Sequence, residues 1–124
     1  MLEIVNPKTG EKFEVSGYDL KEPKTTPVGG EMDWHAANAA CSNLGDGWRL
    51  PSYEELVLIY NQLHLKGLGN FKSQEFDFYW SNSEYESYDD AEKLAANFSF
   101  KDGKGEVYPS GKWRAFYVRA IRKI

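Results

Sequence analysis

Few side chains in this sequence are of the kinds that make or break bonds. The soft or nucleophilic candidates are a single cysteine, Cys41, and two histidines, His35 and His64. Thiol catalysis needs a base within hydrogen-bond reach of the sulfur, and zinc needs Cys and His at short paired spacings. The histidines fall on different predicted helices, with no Asp, Cys or third His at ligand spacing. His64 sits near a helix end, where an imidazolium favours the negative pole, and His35 lies in a first turn. Cys41 has no partner for an internal disulfide and reads as a small core residue, as expected in a reducing compartment. Glu84, Glu86, Asp89 and Asp90 could gather a cation or form a solvated loop face. No Gly-rich phosphate loop or nucleophile elbow occurs. The expectation is a protein that is not an enzyme and has no cofactor and no metal, leaving binding as its function.

Charge narrows what could be bound. The chain carries a net −4, which argues against a general nucleic-acid partner. The charge is uneven: residues 1–100 hold 8 basic and 17 acidic side chains, residues 101–124 hold 7 and 2. Lys101, Lys104, Lys112, Arg114, Arg119 and Arg122 could form a basic patch. The competing reading turns Arg119 and Arg122 toward solvent or acidic neighbours. The same region contains VYPSGKWRAFYVRAI, Val107 to Ile121. Tyr117 to Ile121 alternates as a half-buried strand should, whereas Tyr108 to Phe116 mixes aromatic, small and charged residues without a period.

The elements that must position these groups follow from local signals. LEIVNPKTGEKFEV reads as a β-hairpin closed by Asn-Pro-Lys-Thr-Gly. KEPKTTPVGG reads as an irregular connector. Asp33 can cap a first helix whose apolar face is Trp34, Ala37, Cys41 and Leu44, and Gly45 or Gly47 ends it. Ser52 and Glu55 form a capping box before a stripe of Leu56, Ile59, Tyr60 and Leu63, which predicts a second helix ending near Gly67 and Gly69. FDFYWSNS, AANFSF, EVY and YVRAI then read as strands, with a turn at Asp102-Gly103. Asn97-Phe98-Ser99 matches a glycosylation acceptor but reads as strand before a core Phe98. Together these predict one α+β domain over residues 1–124, with a hairpin and connector at 1–29. No basic leader and no apolar run long enough to span a bilayer is visible, so no membrane insertion is expected. The chain as given would be cytoplasmic; a phage virion or cell surface is the alternative setting.

Trp34-x-x-Ala37-x-x-x-Cys41-x-x-Leu44, GWRLPSYEEL, YWSNSEY, FSFKDGKGEV and the closing YVRAI resemble the C-terminal domain of the Legionella collagen-like adhesin. The resemblance covers residues 30–122 and implies a C-type lectin-like fold, with two helices packed on antiparallel β-sheet and the terminal strands adjacent. It makes Trp34, Trp48, Arg49, Pro51, Ser52 and Trp80 structural residues. Calcium-binding relatives use Glu-Pro-Asn or Gln-Pro-Asp with Trp-Asn-Asp. Glu22-Pro23-Lys24 and Trp80-Ser81-Asn82 depart from both, so binding without calcium is expected. Formylglycine-generating enzymes share the broader fold but use a cysteine pair that is missing here.

In such folds the ligand face is an irregular segment held between core strands. The resemblance therefore assigns contact with a glycan or protein ligand to Tyr85, Tyr88, Tyr108, Trp113, Arg114 and Phe116, rings that lose little rotamer entropy on binding. Some relatives bind sulfated polysaccharide, and some diversify this segment through retroelements. Tyr108, Pro109, Ser110, Gly111, Arg114, Ala115 and Phe116 are all reachable from an Asn codon by its first two bases, and Trp113 is not. The alternative function is a structural or assembly module of a phage tail or surface protein, whose aromatics pack on a neighbour.

Overall fold

The N-terminal hairpin follows from its turn. Gly10 takes φ +75°, and its N–H donates to the Asn6 carbonyl at 2.8 Å. The left-handed backbone costs glycine little, which lets β1 (Leu2–Val5) and β2 (Lys12–Val15) pair antiparallel with Ile4 opposite Phe13. Ile4, Phe13 and Val15 point into the core. β2 then pairs with β5 (Ile121–Lys123), Val15 opposite Ile121, so both ends of the chain share one sheet of order β1-β2-β5. The structure is a computed structural model that describes residues 1–21, 30–87, 92–106 and 108–124. Most of the predicted connector lies outside those residues, as do Tyr88, Asp89, Asp90 and Val107.

Both helices start where the sequence predicts. The Asp33 carboxylate accepts from the Ala36 N–H at 2.8 Å and opens α1 (Trp34–Ser42), which buries Trp34, Ala37 and Cys41. Leu44 departs from its predicted place on that face. The helix ends at Ser42, Gly45, Asp46 and Gly47 all take positive φ, and Leu44 is exposed. At α2 (Tyr53–Gln62) the capping box is complete: the Ser52 hydroxyl accepts from the Glu55 N–H, and the Glu55 carboxylate accepts from the Ser52 N–H. Leu56 and Ile59 are buried, Leu63 closes the helix, and a 3₁₀ turn (His64–Lys66) follows to a left-handed Gly67.

The second sheet is β3 (Tyr79–Tyr85) against antiparallel β4 (Leu94–Phe98), with a register shift between Trp80 and Glu84. Among the described residues, two clusters make the core. One packs α2 residues Leu56 and Ile59 with Tyr79, Phe98, Phe100 and Ile121; the other joins Trp34, Cys41, Trp80, Phe116 and Val118. The molecule is α+β, with two α-helices and two antiparallel sheets among the described residues.

Two predicted strands differ. Glu106 and Tyr108 of EVY lie outside regular strand. The YVRAI strand begins only at Ile121, because residues 116–120 cross the interior and bond to several distant segments. Phe116 exchanges hydrogen bonds with Met32, the Tyr117 carbonyl accepts from Trp80, the Val118 carbonyl from Leu20 and the Ala120 carbonyl from Ser16. Val118, Arg119, Ala120 and Ile121 are consecutively buried, so no alternation survives.

Candidate functional site

The six residues expected to be structural lie in the turns and core around α1, α2 and β3. Trp80 is fully buried and donates its indole N–H to the Met32 carbonyl at 2.8 Å; buried Trp34 donates to the Ser81 carbonyl at 3.0 Å. Arg49 forms a two-pronged bond to Glu55, 2.8 Å on each arm, while its backbone bridges Ile121. Burial alone would raise the Glu55 pKa; the Arg49 fork and the Ser52 hydrogen bonds outweigh it and hold the carboxyl below its ordinary value. The Pro51 carbonyl accepts from Asn82 at 2.8 Å, Ser52 caps α2, and half-buried Trp48 lies under the Arg122 guanidinium. This turn therefore welds α2 to β3 and β5.

The predicted contact residues divide. Tyr108 and Trp113 are each 81% exposed, and Tyr85, at the end of β3, is 48% exposed. Arg114 is partly exposed. Phe116 is a correction: it is only 3% exposed and packs edge-on against Trp80 at 4.5 Å between centroids. Tyr88 lies outside the described residues.

What keeps Trp113 outward is the clamping of the residues around it. Lys112 is a buried ammonium 3.9 Å from the Trp34 ring centre, and it pairs with Glu84 at 2.8 Å. Its hydrogen bond holds the Glu84 carboxyl below the ordinary range. The Lys112 carbonyl accepts from the Trp34 N–H at 3.0 Å, fixing the segment to the start of α1. A Cβ on Gly111 would collide with the Trp113 indole, so glycine lets the ring lie against the backbone. On the other side Arg114 donates to Glu106 at 2.8 Å and to the Ser110 hydroxyl at 3.1 Å. Behind them, buried Asn97 of β4 donates to Glu106 at 2.6 Å and to Ser110 at 2.8 Å, and its carbonyl oxygen accepts from the Glu106 N–H at 2.7 Å. Ser110 exchanges backbone hydrogen bonds with Ala95. The segment is irregular in pattern but rigid in attachment.

Glu84, Asn97, Glu106 and Ser110 were not picked out as clamps by sequence reasoning, because each partner is distant or lies in a loop without a local signature. The basic patch is also corrected. Lys112 and Arg119 are buried; Arg119 pairs with Asp19 and Arg122 with Glu14, the acidic neighbours of the competing reading, and Arg114 pairs with Glu106. His35 meets Glu92 at 2.8 Å, whereas the His64 ring rests on Tyr60 and Phe100. Burial pushes the Cys41 thiol up to about 12. Among the described residues, no helix is long and apolar enough to cross a membrane.

These features define an α+β domain that holds exposed aromatic rings on a clamped irregular segment beside a short sheet. The family model of the Lcl C-terminal domain matches residues 14–122, and the chain belongs to that family. The match begins inside β2, earlier than the expected residue 30, so only β1 and the hairpin turn lie wholly before it. Family membership makes the domain adhesin-like in class. Comparison with curated proteins finds none that matches.

Proposed function

We propose that this domain is a non-enzymatic adhesin-like module that recognises a carbohydrate or protein, without calcium, through Tyr85, Tyr108, Trp113 and Arg114. The carrying observation is that Tyr108 and Trp113 are each 81% exposed on a segment anchored at Lys112 and Arg114. Rigid rings already fixed in place lose little entropy on binding, and Arg114 adds a directed charge beside them. The element order, with both termini in one sheet, supports the C-type lectin-like arrangement as part of this reading. In this role the domain would act at a cell or virion surface. Retroelement diversification is compatible with exposed Tyr108 and Ala115 but not with buried Ser110 and Phe116, where varied residues would disturb the core.

A glycan array of the purified chain, with and without calcium and at two salt concentrations, tests the reading. Calcium-independent binding lost in Trp113→Ala would establish the aromatic face. Binding that persists in that variant would remove it. A second reading, an assembly module, draws on a different surface: a groove of about 250 Å³ lined by Tyr18, Leu20, Lys21, Ala40, Asn43 and Leu44, with Tyr18 70% exposed.

A further inference from the structure

A second cleft, of about 350 Å³, is lined by Phe71, Lys72, Ser73, Gln74, Asp77 and Tyr117, none of which belongs to the aromatic face. Its rim is a tight turn. The Gln74 N–H donates to the Asp77 carboxylate at 3.1 Å and the Asp77 N–H donates back to the Gln74 carbonyl at 3.1 Å. Phe76, the third residue of that turn, has φ +68° and is 77% exposed. This is a position where glycine is at home and a bulky side chain is strained. A turn serving only to reverse the chain would be easier to close with glycine. Phe76 thus stands, exposed, in the turn between two residues that line the cleft, Gln74 and Asp77.

The lining indicates which ligand. The Lys72 ammonium lies 5.4 Å from the Tyr117 ring centre, and Asp77 supplies a carboxylate. A lone anion meets Asp77, with Glu31 and Asp19 also acting on Tyr117, and a lone cation meets Lys72. Hydroxyl groups satisfy both, donating to the carboxylate and accepting from the ammonium, the Gln74 amide and the Ser73 and Tyr117 hydroxyls. The C–H face of a sugar ring suits the negative face of an exposed phenyl ring. We propose that this cleft binds a neutral sugar residue, hydrogen-bonded by Lys72, Asp77 and Tyr117 and stacked on Phe76. The site stands apart from the aromatic face, and either can fail without the other.

The test is a titration of the isotope-labelled full chain, followed by backbone amide shifts, with N-acetylglucosamine, galactose, mannose and cellobiose. Inorganic phosphate and free arginine serve as charged probes. The expected result is that at least one neutral sugar shifts residues 72–77 and Tyr117, that Asp77→Asn weakens it about tenfold, and that Trp113→Ala leaves it unchanged. Phe76→Gly should lose the sugar and yet melt at a higher temperature, since it relieves the backbone. Silence with every sugar would overturn the proposal, as would shifts only with phosphate or arginine. So would a Phe76→Gly variant that binds normally or melts lower.

Discussion

Trp113 and Phe116 belong to the same aperiodic segment, yet one is 81% exposed and the other 3%. Their fates under truncation should separate accordingly. Phe116→Ala removes a ring packed on Trp80 and Phe78 and is expected to cost about 3–5 kcal/mol, read as a lowered denaturation midpoint. Trp113→Ala should stay within about 0.5 kcal/mol of the parent while weakening ligand capture. A large loss of stability in Trp113→Ala would mean that its ring serves the core. Composition located this segment, because aromatics beside small residues in an irregular stretch suit a recognition surface. It could not sort the rings, since without a period nothing in the string says which side faces in. What decides Phe116 is its backbone pairing with Met32, a partner far away in sequence. Lys112 was misread for a related reason: charge normally implies solvent, and only the distant Trp34 and Glu84 make its burial tolerable.

At the scale of elements, the most legible feature was the start of α2, because capping is a local rule. Ser52 and Glu55 sit at the required spacing, and their reciprocal bonds form as expected. Structure adds that Glu55 also receives the Arg49 fork, so one carboxylate ties the preceding turn to the helix. Glu55→Gln should cost about 1–2 kcal/mol, after allowing for the solvent that screens half-exposed Arg49. The pH dependence has a definite sign. The folded-state pKa of Glu55 is depressed, so its contribution is present above the unfolded-state pKa and is lost as pH falls through the folded one. Melting curves of parent and variant should therefore differ most near neutrality and converge in acid; a constant gap would deny Glu55 this role. The final segment was illegible by the same logic. Residues 116–120 take their hydrogen bonds from Met32, Phe78, Trp80, Leu20 and Ser16, and no local pattern encodes partners so scattered. Arg119, read as turned toward solvent or an acidic neighbour, meets the acidic neighbour Asp19 from inside that crossing.

Over the whole molecule, Arg119 is the residue that joins most parts. It pairs with Asp19 at 2.7 Å, donates to the carbonyls of Ser16, Gly69 and Asn70, and lies over the Phe71 ring. Arg119→Met keeps much of the stem but leaves Asp19 without its cation, for an expected loss of about 3–5 kcal/mol. A double-mutant cycle with Asp19→Ala should show a combined loss well short of the sum, whereas simple additivity would mean the two residues act independently. Stability of the monomer does not say whether the molecule works alone, and its exposed apolar surfaces allow two answers. Tyr108 and Trp113 are exposed on one segment of the chain, and Tyr18 with Leu44 lines the groove beside α1. If the domain is an adhesin-like reader, its rings await a foreign ligand, and the melting temperature should not depend on protein concentration. If it is an assembly module, a second copy covers one of these surfaces, and mass action then stabilises the folded form as concentration rises. Melting followed over a wide concentration range distinguishes the two. The same series with Trp113→Ala and with Leu44→Ser assigns any dependence to its surface: loss in the first would place the partner on the clamped aromatic segment and withdraw it from ligand binding, while loss in the second would leave that segment free to bind.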